Sequence, residues 1–385
     1  MPTTWDVTGP EVLIGRHLHH SAVTKTSSIK IAAFDLDATL VVTKTGKHTA
    51  VDPNDWDWWH PIVPGKLKQI SDQGYKIVIF TNQGRLTKKD GTKHPAADTF
   101  REKVESVLHA LDVPVTIYAA CANDNWRKPR TLAWEHYVGT ALPGQVIDLD
   151  SSYLVGDAAG RLQDHTDADR HFSMNVKIGF YTPEEYFLGA PTEHWDHKFN
   201  PSLFLEQTRQ EPFPRAEIPD SKSLILLIGL PGSGKSTYFL QHLQSFGFDR
   251  IEACSHTSEA EGIDLADELL AAGASVVIDG WNLERSSRKS WIAVATRHHC
   301  PVVAICFKTE PQLCLHNDAV RALGGSKPDL LLQNVRAVFP RLAFWDLVGL
   351  FEVPHESEGF DRVFEIDFAW SGNAEALAIW RKFWI

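Results

Sequence analysis

Twice along this chain the same rhythm occurs: a short apolar run, a turn rich in Gly, Asp or Asn, then a longer amphipathic stretch. In the first block the runs are Ile29–Phe34, Lys76–Phe80, Val115–Ala119, Tyr153–Val155 and Val176–Phe180. In the second they are Ser223–Ile228, Ser275–Ile278, Pro301–Phe307 and Phe364–Phe368. Alternation of such runs with helical segments predicts strands in parallel sheets, hence an α/β fold with two parallel-sheet domains. The stretch between the blocks carries Pro191, Pro201, Pro212, Pro214 and Pro219 with poor periodicity, and reads as a linker. The expected division is an extension over 1–28 that wraps the first domain, domains over 29–190 and 221–385, and a linker over 191–220. A chain of 385 residues suits two domains, each large enough for its own core.

Composition narrows the class. Hydrophobic content of 43% and charged content of 23% are those of a soluble globular protein. A net charge of −11 argues against a surface built for bulk polyanion binding, though it leaves room for a local basic groove. Five cysteines with no CxxC pair point to free thiols in a reducing compartment, not to disulfides or zinc. The start, MPTTWDVTGPEVLIG, lacks the basic-then-apolar plan of a secretory signal. No run reaches the roughly 18 apolar residues a membrane helix needs. The expectation is an intracellular protein.

The first apolar run passes directly into Phe34-Asp35-Leu36-Asp37-Ala38-Thr39. Ligands of open α/β sheets bind beyond the carboxyl ends of strands, which puts Asp35 and Asp37 in the crevice. Two carboxylates so close repel each other, and a hard divalent cation such as Mg²⁺ is their natural partner. The cation also screens an anionic phosphate ester, so that a carboxylate is able to attack phosphorus. The second run ends in Thr81-Asn82-Gln83-Gly84-Arg85, where a hydroxyl, an amide and turn N–H groups suit a phosphate. Lys128 is placed to neutralise that phosphate and fix Asp35. The fourth run ends in Gly156-Asp157-Ala158-Ala159-Gly160-Arg161, another strand-end carboxylate for a metal.

These four elements, in this order, resemble the haloacid dehalogenase-like (HAD-like, Rossmannoid) phosphatases. The resemblance implies that Asp35 is the nucleophile and Asp37 the general acid and then base, with Thr81 and Lys128 holding the phosphate. It implies a Mg²⁺ site made of Asp35, Asp157 and the backbone carbonyl of Asp37. A second acidic residue often follows in that family, and Asp164 and Asp169 both qualify. Where this chain has Ala38 the family commonly has Gly, a change expected to be tolerated. The longer segments FDLDATL, TKTGK, VDPNDW, GYKIVIFTNQGR, WRKP and VGDAAGR resemble the phosphatase domain of polynucleotide kinase 3′-phosphatases. A DNA 3′-phosphate terminus is then the implied substrate, with Lys44, Lys47, Arg85 and Arg130 as candidate backbone contacts.

In the second block Ser223–Ile228 leads into Gly229-Leu230-Pro231-Gly232-Ser233-Gly234-Lys235-Ser236-Thr237, the spacing of a P-loop between a strand and a helix. Its glycines let backbone N–H groups close around phosphates. Lys235 would reach the β- and γ-phosphates of ATP or GTP, and Ser236 would ligate Mg²⁺. Asp279, at the end of VVIDG, is placed to act on the magnesium site. Arg321 and Arg336 are candidates for a lid that clamps the γ-phosphate.

This block resembles the kinase half of the same family through the P-loop, VVIDGWN, HNDAVR and SEGFDRVFEIDF. The family's Asn-Arg-Asp-Thr-like segment, whose aspartate accepts the 5′-hydroxyl proton, corresponds here to Ala253-Cys254-Ser255-His256-Thr257, with His256 in the aspartate's place. Two readings stay open at this point. Either His256, or Asp249 or Asp264 nearby, serves as base, or the domain binds nucleotide without catalysis. The resemblance implies a bifunctional enzyme of DNA end repair with nuclear residence. The family's forkhead-associated adaptor domain is not expected in the roughly 28 residues before the first domain.

Overall fold

A computed structural model describes residues 3–6, 9–18, 28–88, 91–206, 221–253, 258–324 and 337–385. The chain forms two compact units, Met1–Lys198 and Phe199–Phe383.

The first unit is built on a seven-stranded sheet. Its strands are β1 (Thr4–Asp6), β2 (Val12–His17), β3 (Ile31–Phe34), β6 (Lys76–Asn82), β7 (Val115–Ala120), β8 (Tyr153–Val155) and β9 (Gly179–Tyr181), in the order β1-β2-β7-β6-β3-β8-β9. β4 (Val41–Val42) and β5 (Asp57–Trp58) form a separate small ribbon. From β7 to β9 the strands are parallel, and β3 lies between β6 and β8. β3 is buried on both faces. Ala32 and Phe34 face a core shared with helices Val63–Asp72 and Ala96–Leu111, while Ile31 and Ala33 face one shared with Leu132–Ala141 and Ala168–Val176. This is why β3 reads as a continuous apolar run with no alternation.

Three sequence expectations change. The described part of the extension over 1–28 does more than wrap the domain: β1 and β2 pair antiparallel with each other, and β2 pairs antiparallel with β7, extending the sheet. The run Val176–Phe180 straddles two elements. The helix ends at Val176, Lys177 turns the chain at φ 67°, and β9 begins at Gly179. Residues 191–198, grouped by composition with the linker, belong to the first unit. Asp196 N donates to the Gly160 carbonyl at 3.2 Å, and Lys198 N to Asp167 Oδ2 at 2.9 Å.

The second unit has a five-stranded, all-parallel sheet of β10 (Leu224–Ile228), β11 (Asp249–Glu252), β12 (Val276–Asp279), β13 (Val302–Phe307) and β14 (Arg362–Ile366), ordered β11-β12-β10-β13-β14. Alternate residues of β10 serve two cores. Leu224, Leu226 and Ile228 pack with Trp291 and Leu270, and Ile225 and Leu227 with Tyr238 and Phe239. The edge strand β11, Asp-Arg-Ile-Glu, has one apolar residue and escapes a reading based on apolar runs.

Candidate active site

β3 and β8 are neighbours, and their carboxyl ends deliver the first unit's acidic residues. Asp35 follows β3 directly, and its backbone N–H donates to the Val155 carbonyl of β8 at 2.8 Å. Asp157 stands two residues past β8. Asp169, in the first turn of helix Ala168–Val176, comes back to the same point. Oxygens of Asp35, Asp157 and Asp169 all lie within 4.8 Å of one another. Gly156 makes the approach possible: a Cβ there would sit 2.4 Å from Asp169 Oδ2. The Ala158 N–H fixes Asp169 further, donating to Oδ2 at 3.1 Å.

Lys128 enters from the loop after β7. Its Nζ bonds Asp35 Oδ1 at 2.6 Å and Asp169 Oδ1 at 2.6 Å, all three groups being buried. Asn82, the last residue of β6, holds this lysine by a reciprocal pair: its Nδ2 donates to the Lys128 carbonyl at 3.0 Å, and its Oδ1 accepts from the Lys128 N–H at 2.9 Å. One ammonium thus faces three carboxylates. Burial pushes the Asp35 carboxyl well above the usual range, with Lys128 opposing and Asp169 and Asp157 adding to the rise. Asp157 is pushed up to about 7, by burial first and by the charge of Asp169 second. A cluster of hard oxygen donors short of positive charge fits a divalent cation of the Mg²⁺ class. It is the set Asp35, Asp157 and Asp169 that has this character.

The Asp37 carboxylate lies apart from that cluster. Its Oδ2 accepts from Gln83 Nε2 at 2.7 Å and its Oδ1 from Lys103 Nζ at 2.7 Å. Any share of Asp37 in a metal site therefore falls to its backbone carbonyl. Gln83 Nε2 also donates to Thr81 Oγ1 at 3.0 Å, which ties the end of β6 to Asp37. Ala38 adopts φ 57°, the left-handed region that a Gly would enter without strain. Of the two acidic candidates, Asp169 lies in the carboxylate cluster and Asp164 does not. Asp164 is occupied by Arg161, whose Nε lies 3.0 Å away, and by the N–H groups of Ala159 and Arg161.

Among the proposed DNA contacts, Lys44, Lys47 and Arg85 are exposed. Arg130 is not: it is buried, and its Nη1 donates to Asn123 Oδ1 at 2.9 Å and the Asp124 carbonyl at 2.8 Å. With its Nε donating to the Trp384 carbonyl at 3.1 Å as well, Arg130 has no free donor face for a DNA backbone, contrary to the expectation from sequence.

In the second unit the loop after β10 has P-loop geometry. Gly232 has φ 80°, and a Cβ there would meet the Cys314 carbonyl at 2.1 Å, so no side chain fits. Gly229 and Gly234 also have positive φ. Lys235 is buried along the loop, its Nζ donating to the carbonyls of Gly229 and Leu230 at 2.8 Å each and to Ser233 Oγ at 3.3 Å. Ser233 and Gly232 are braced from outside by Thr309 and Asn317. Ser236 Oγ donates to Asp279 Oδ2 at 2.7 Å, joining the P-loop to the end of β12. Thr237 follows in the short helix Lys235–Tyr238. Ser236 and Asp279 are the oxygen donors that suit Mg²⁺ beside a nucleotide.

Among the described residues 221–385, Arg250 of β11 is the site residue that sequence reasoning missed. Its Nε donates to Asp279 Oδ2 at 2.9 Å. Arg321, at the end of helix Pro311–Leu323, pairs with Asp318. Asp249 lies at the amino end of β11, opposite Val276, whereas Asp279 lies at the carboxyl end; as a base Asp249 would sit on the wrong side of the sheet. Asp264 is exposed on helix Glu259–Ala271. His256 and Arg336 lie outside the described residues.

Comparison with known proteins decides the family. A Schizosaccharomyces pombe protein named bifunctional polynucleotide phosphatase/kinase is 34% identical over 342 residues, 88% of this chain and 80% of the relative. The chain belongs to the bifunctional polynucleotide phosphatase/kinase family. The sequence profile described as polynucleotide kinase 3 phosphatase matches residues 30–187 of this chain, and that of an AAA domain residues 255–342. The Arabidopsis thaliana polynucleotide 3′-phosphatase ZDP is 37% identical over 43% of this chain and 25% of the relative. The Saccharomyces cerevisiae polynucleotide 3′-phosphatase is 27% identical over 42% of this chain and 88% of the relative. The HAD-like and P-loop kinase folds expected from the motifs are those of this chain. No helix among its described residues is long and apolar enough to cross a membrane.

Proposed function

We propose that the first unit hydrolyses 3′-phosphate termini of DNA and that the second uses ATP to phosphorylate 5′-hydroxyl termini, together leaving ends that a ligase is able to join. The observation that carries the phosphatase reading is the meeting of Asp35, Asp157 and Asp169 around Lys128 at the ends of two adjacent strands.

In this reading an Asp35 oxygen attacks phosphorus while the bond from phosphorus to the 3′ oxygen breaks, and Asp37 donates a proton to the departing oxygen. In the second half Asp37 takes a proton from water, whose oxygen attacks phosphorus and frees Asp35 and inorganic phosphate. Lys128 and Thr81 orient the phosphoryl group. Asp35, Asp157, Asp169 and the Asp37 carbonyl would hold Mg²⁺, which when bound supplies charge neutralisation for an anionic nucleophile meeting an anionic ester. With Asp37 protonated to act as the acid, three carboxylates, two ammoniums (Lys128 and Lys103) and one divalent cation leave one positive charge, a balance that favours an anionic phosphate ester.

In the second unit Gly229, Gly232, Ser233, Gly234 and Lys235 cradle the ATP phosphates, Ser236, Thr237 and Asp279 serve the magnesium site, and Arg321, on helix Pro311–Leu323 and not on a lid, is the candidate contact to the γ-phosphate. His256 is the proposed acceptor of the 5′-hydroxyl proton. The work of such an enzyme belongs in the nucleus, in DNA repair.

The test uses the full chain with oligonucleotides. Wild type should release phosphate from a 3′-phosphorylated strand in Mg²⁺ and transfer labelled γ-phosphate to a 5′-hydroxyl strand. Asp35→Asn should abolish the first activity and keep ATP binding, and Lys235→Ala should abolish the second. Loss of both functions in Asp35→Asn would contradict separate sites. Absence of label with wild type would reduce the second unit to a nucleotide-binding module.

A further inference from the structure

Helix Ala96–Leu111 packs on the sheet through Phe100, Val104, Val107, Leu108 and Leu111, and among these buried residues stands Lys103. Its side chain is only 5% exposed. An ammonium so placed is costly unless a charge meets it. The ion-pair partner is Asp37, 66 positions away, whose own side chain is 42% exposed and faces the crevice. Gln83 takes the other carboxylate oxygen, also at 2.7 Å. Each Asp37 oxygen therefore has a fixed donor from a different element, one from the core of a helix and one from the turn after β6. Lys103 makes no part of the acidic cluster, which Lys128 serves.

Resting on the phosphatase reading above, we infer that Lys103 is a positioning residue: with Gln83 it aims the Asp37 carboxyl at the 3′ oxygen of the scissile bond. The step it supports is the one in which the P–O3′ bond breaks, its electron pair stays on the 3′ oxygen, and the Asp37 proton moves there as the Asp35–phosphorus bond forms. Attack by Asp35 itself does not require Lys103.

The two roles separate by leaving group. An alkoxide leaves poorly without a proton, whereas p-nitrophenolate leaves without one. The experiment compares wild type, Lys103→Met and Lys103→Arg, full length and in Mg²⁺, on a 3′-phosphorylated oligonucleotide and on p-nitrophenyl phosphate, reading kcat/KM, which reports formation of the aspartyl-phosphate. General acid catalysis is worth about 100- to 10,000-fold, and misaiming the acid forfeits part of it, so Lys103→Met should lose about 10- to 100-fold on the oligonucleotide. On p-nitrophenyl phosphate it should stay within about twofold, and Lys103→Arg should recover part of the loss. Equal losses on both substrates, or none on either, overturn the inference. Should Lys103→Met fail to fold, Lys103→Gln, an uncharged side chain at the same place, must show the same substrate-dependent pattern or the inference fails. A wild type that leaves the oligonucleotide untouched refutes the end-processing reading itself, which is a different result from wild-type turnover with an indiscriminate Lys103→Met loss.

Discussion

Replacing Lys128 with Met should leave the first unit folded but markedly weaker, and Mg²⁺ should mend much of the damage. Lys128 and its two partners are nearly solvent-free: the side chains of Lys128, Asp35 and Asp169 are 3%, 11% and 3% exposed. Methionine nearly matches lysine in shape, so packing is kept and only the ammonium goes. Removing one member of a buried ion pair costs about 3–5 kcal/mol, because the remaining charge stays desolvated. At 1.36 kcal/mol per tenfold, that speeds hydrogen exchange of amides protected by global opening of the unit by roughly two to four powers of ten. The amides of β3 and β8, beside the site, are the ones to follow, in EDTA and again in millimolar Mg²⁺. Because the three carboxylates then bind the cation without a competing ammonium, added Mg²⁺ should slow exchange more in the variant than in wild type. Exchange in EDTA within threefold of wild type, or a deficit that Mg²⁺ leaves unchanged, would refute the electrostatic account of the site.

The other predictions concern the same cluster, its loop and the P-loop. Asp157 has its carboxyl raised to about 7 by burial and by Asp169, so the fold favours its protonated form; that stability is complete below the unfolded value near 4 and is lost as pH rises through about 7. In EDTA the first unit should therefore exchange faster at pH 8 than at pH 5 after correction for intrinsic rates, and Mg²⁺ should flatten the difference; slower corrected exchange at pH 8 in EDTA would reverse the sign. Ala38→Gly removes a left-handed alanine but adds backbone freedom to the unfolded chain, so the unfolding free energy from denaturant titration should change by no more than about 1 kcal/mol, toward higher stability if either way. Gly232→Ala must push a methyl into the Cys314 carbonyl at a positive φ, and should abolish ATP binding in calorimetry while phosphate release from a 3′-phosphorylated strand persists.

The parts of this molecule that follow from sequence are those where one residue type has one job at one place along the chain. Strand-end Asp35 and Asp157, and the glycines of the P-loop, sit next to the runs that position them, so local pattern is enough. Asp169 was one of two possibilities, because the choice depends on which carboxylate finds Arg161 first and which finds the bare backbone of Gly156. Lys103 was invisible: on its helix it interrupts an apolar face, and only the fold shows what it reaches. Arg250 was hidden for a similar reason, lying on an edge strand too polar to be noticed. Arg130 shows the opposite error, a cation next to a functional motif whose charge is consumed by its own loop.

The antiparallel pair at the amino terminus has a practical bearing on how this protein is handled. A fragment started at residue 29, where the repeating pattern begins, would strip β2 from the sheet and leave the rim of β7, six residues all buried in the intact chain, without its hydrogen-bonding neighbour. Bare rims of this kind recruit other chains. Expression trials that trim the chain to its apparent motif boundary should meet insolubility for reasons unrelated to the chemistry, and keeping residues 3–17 is the remedy.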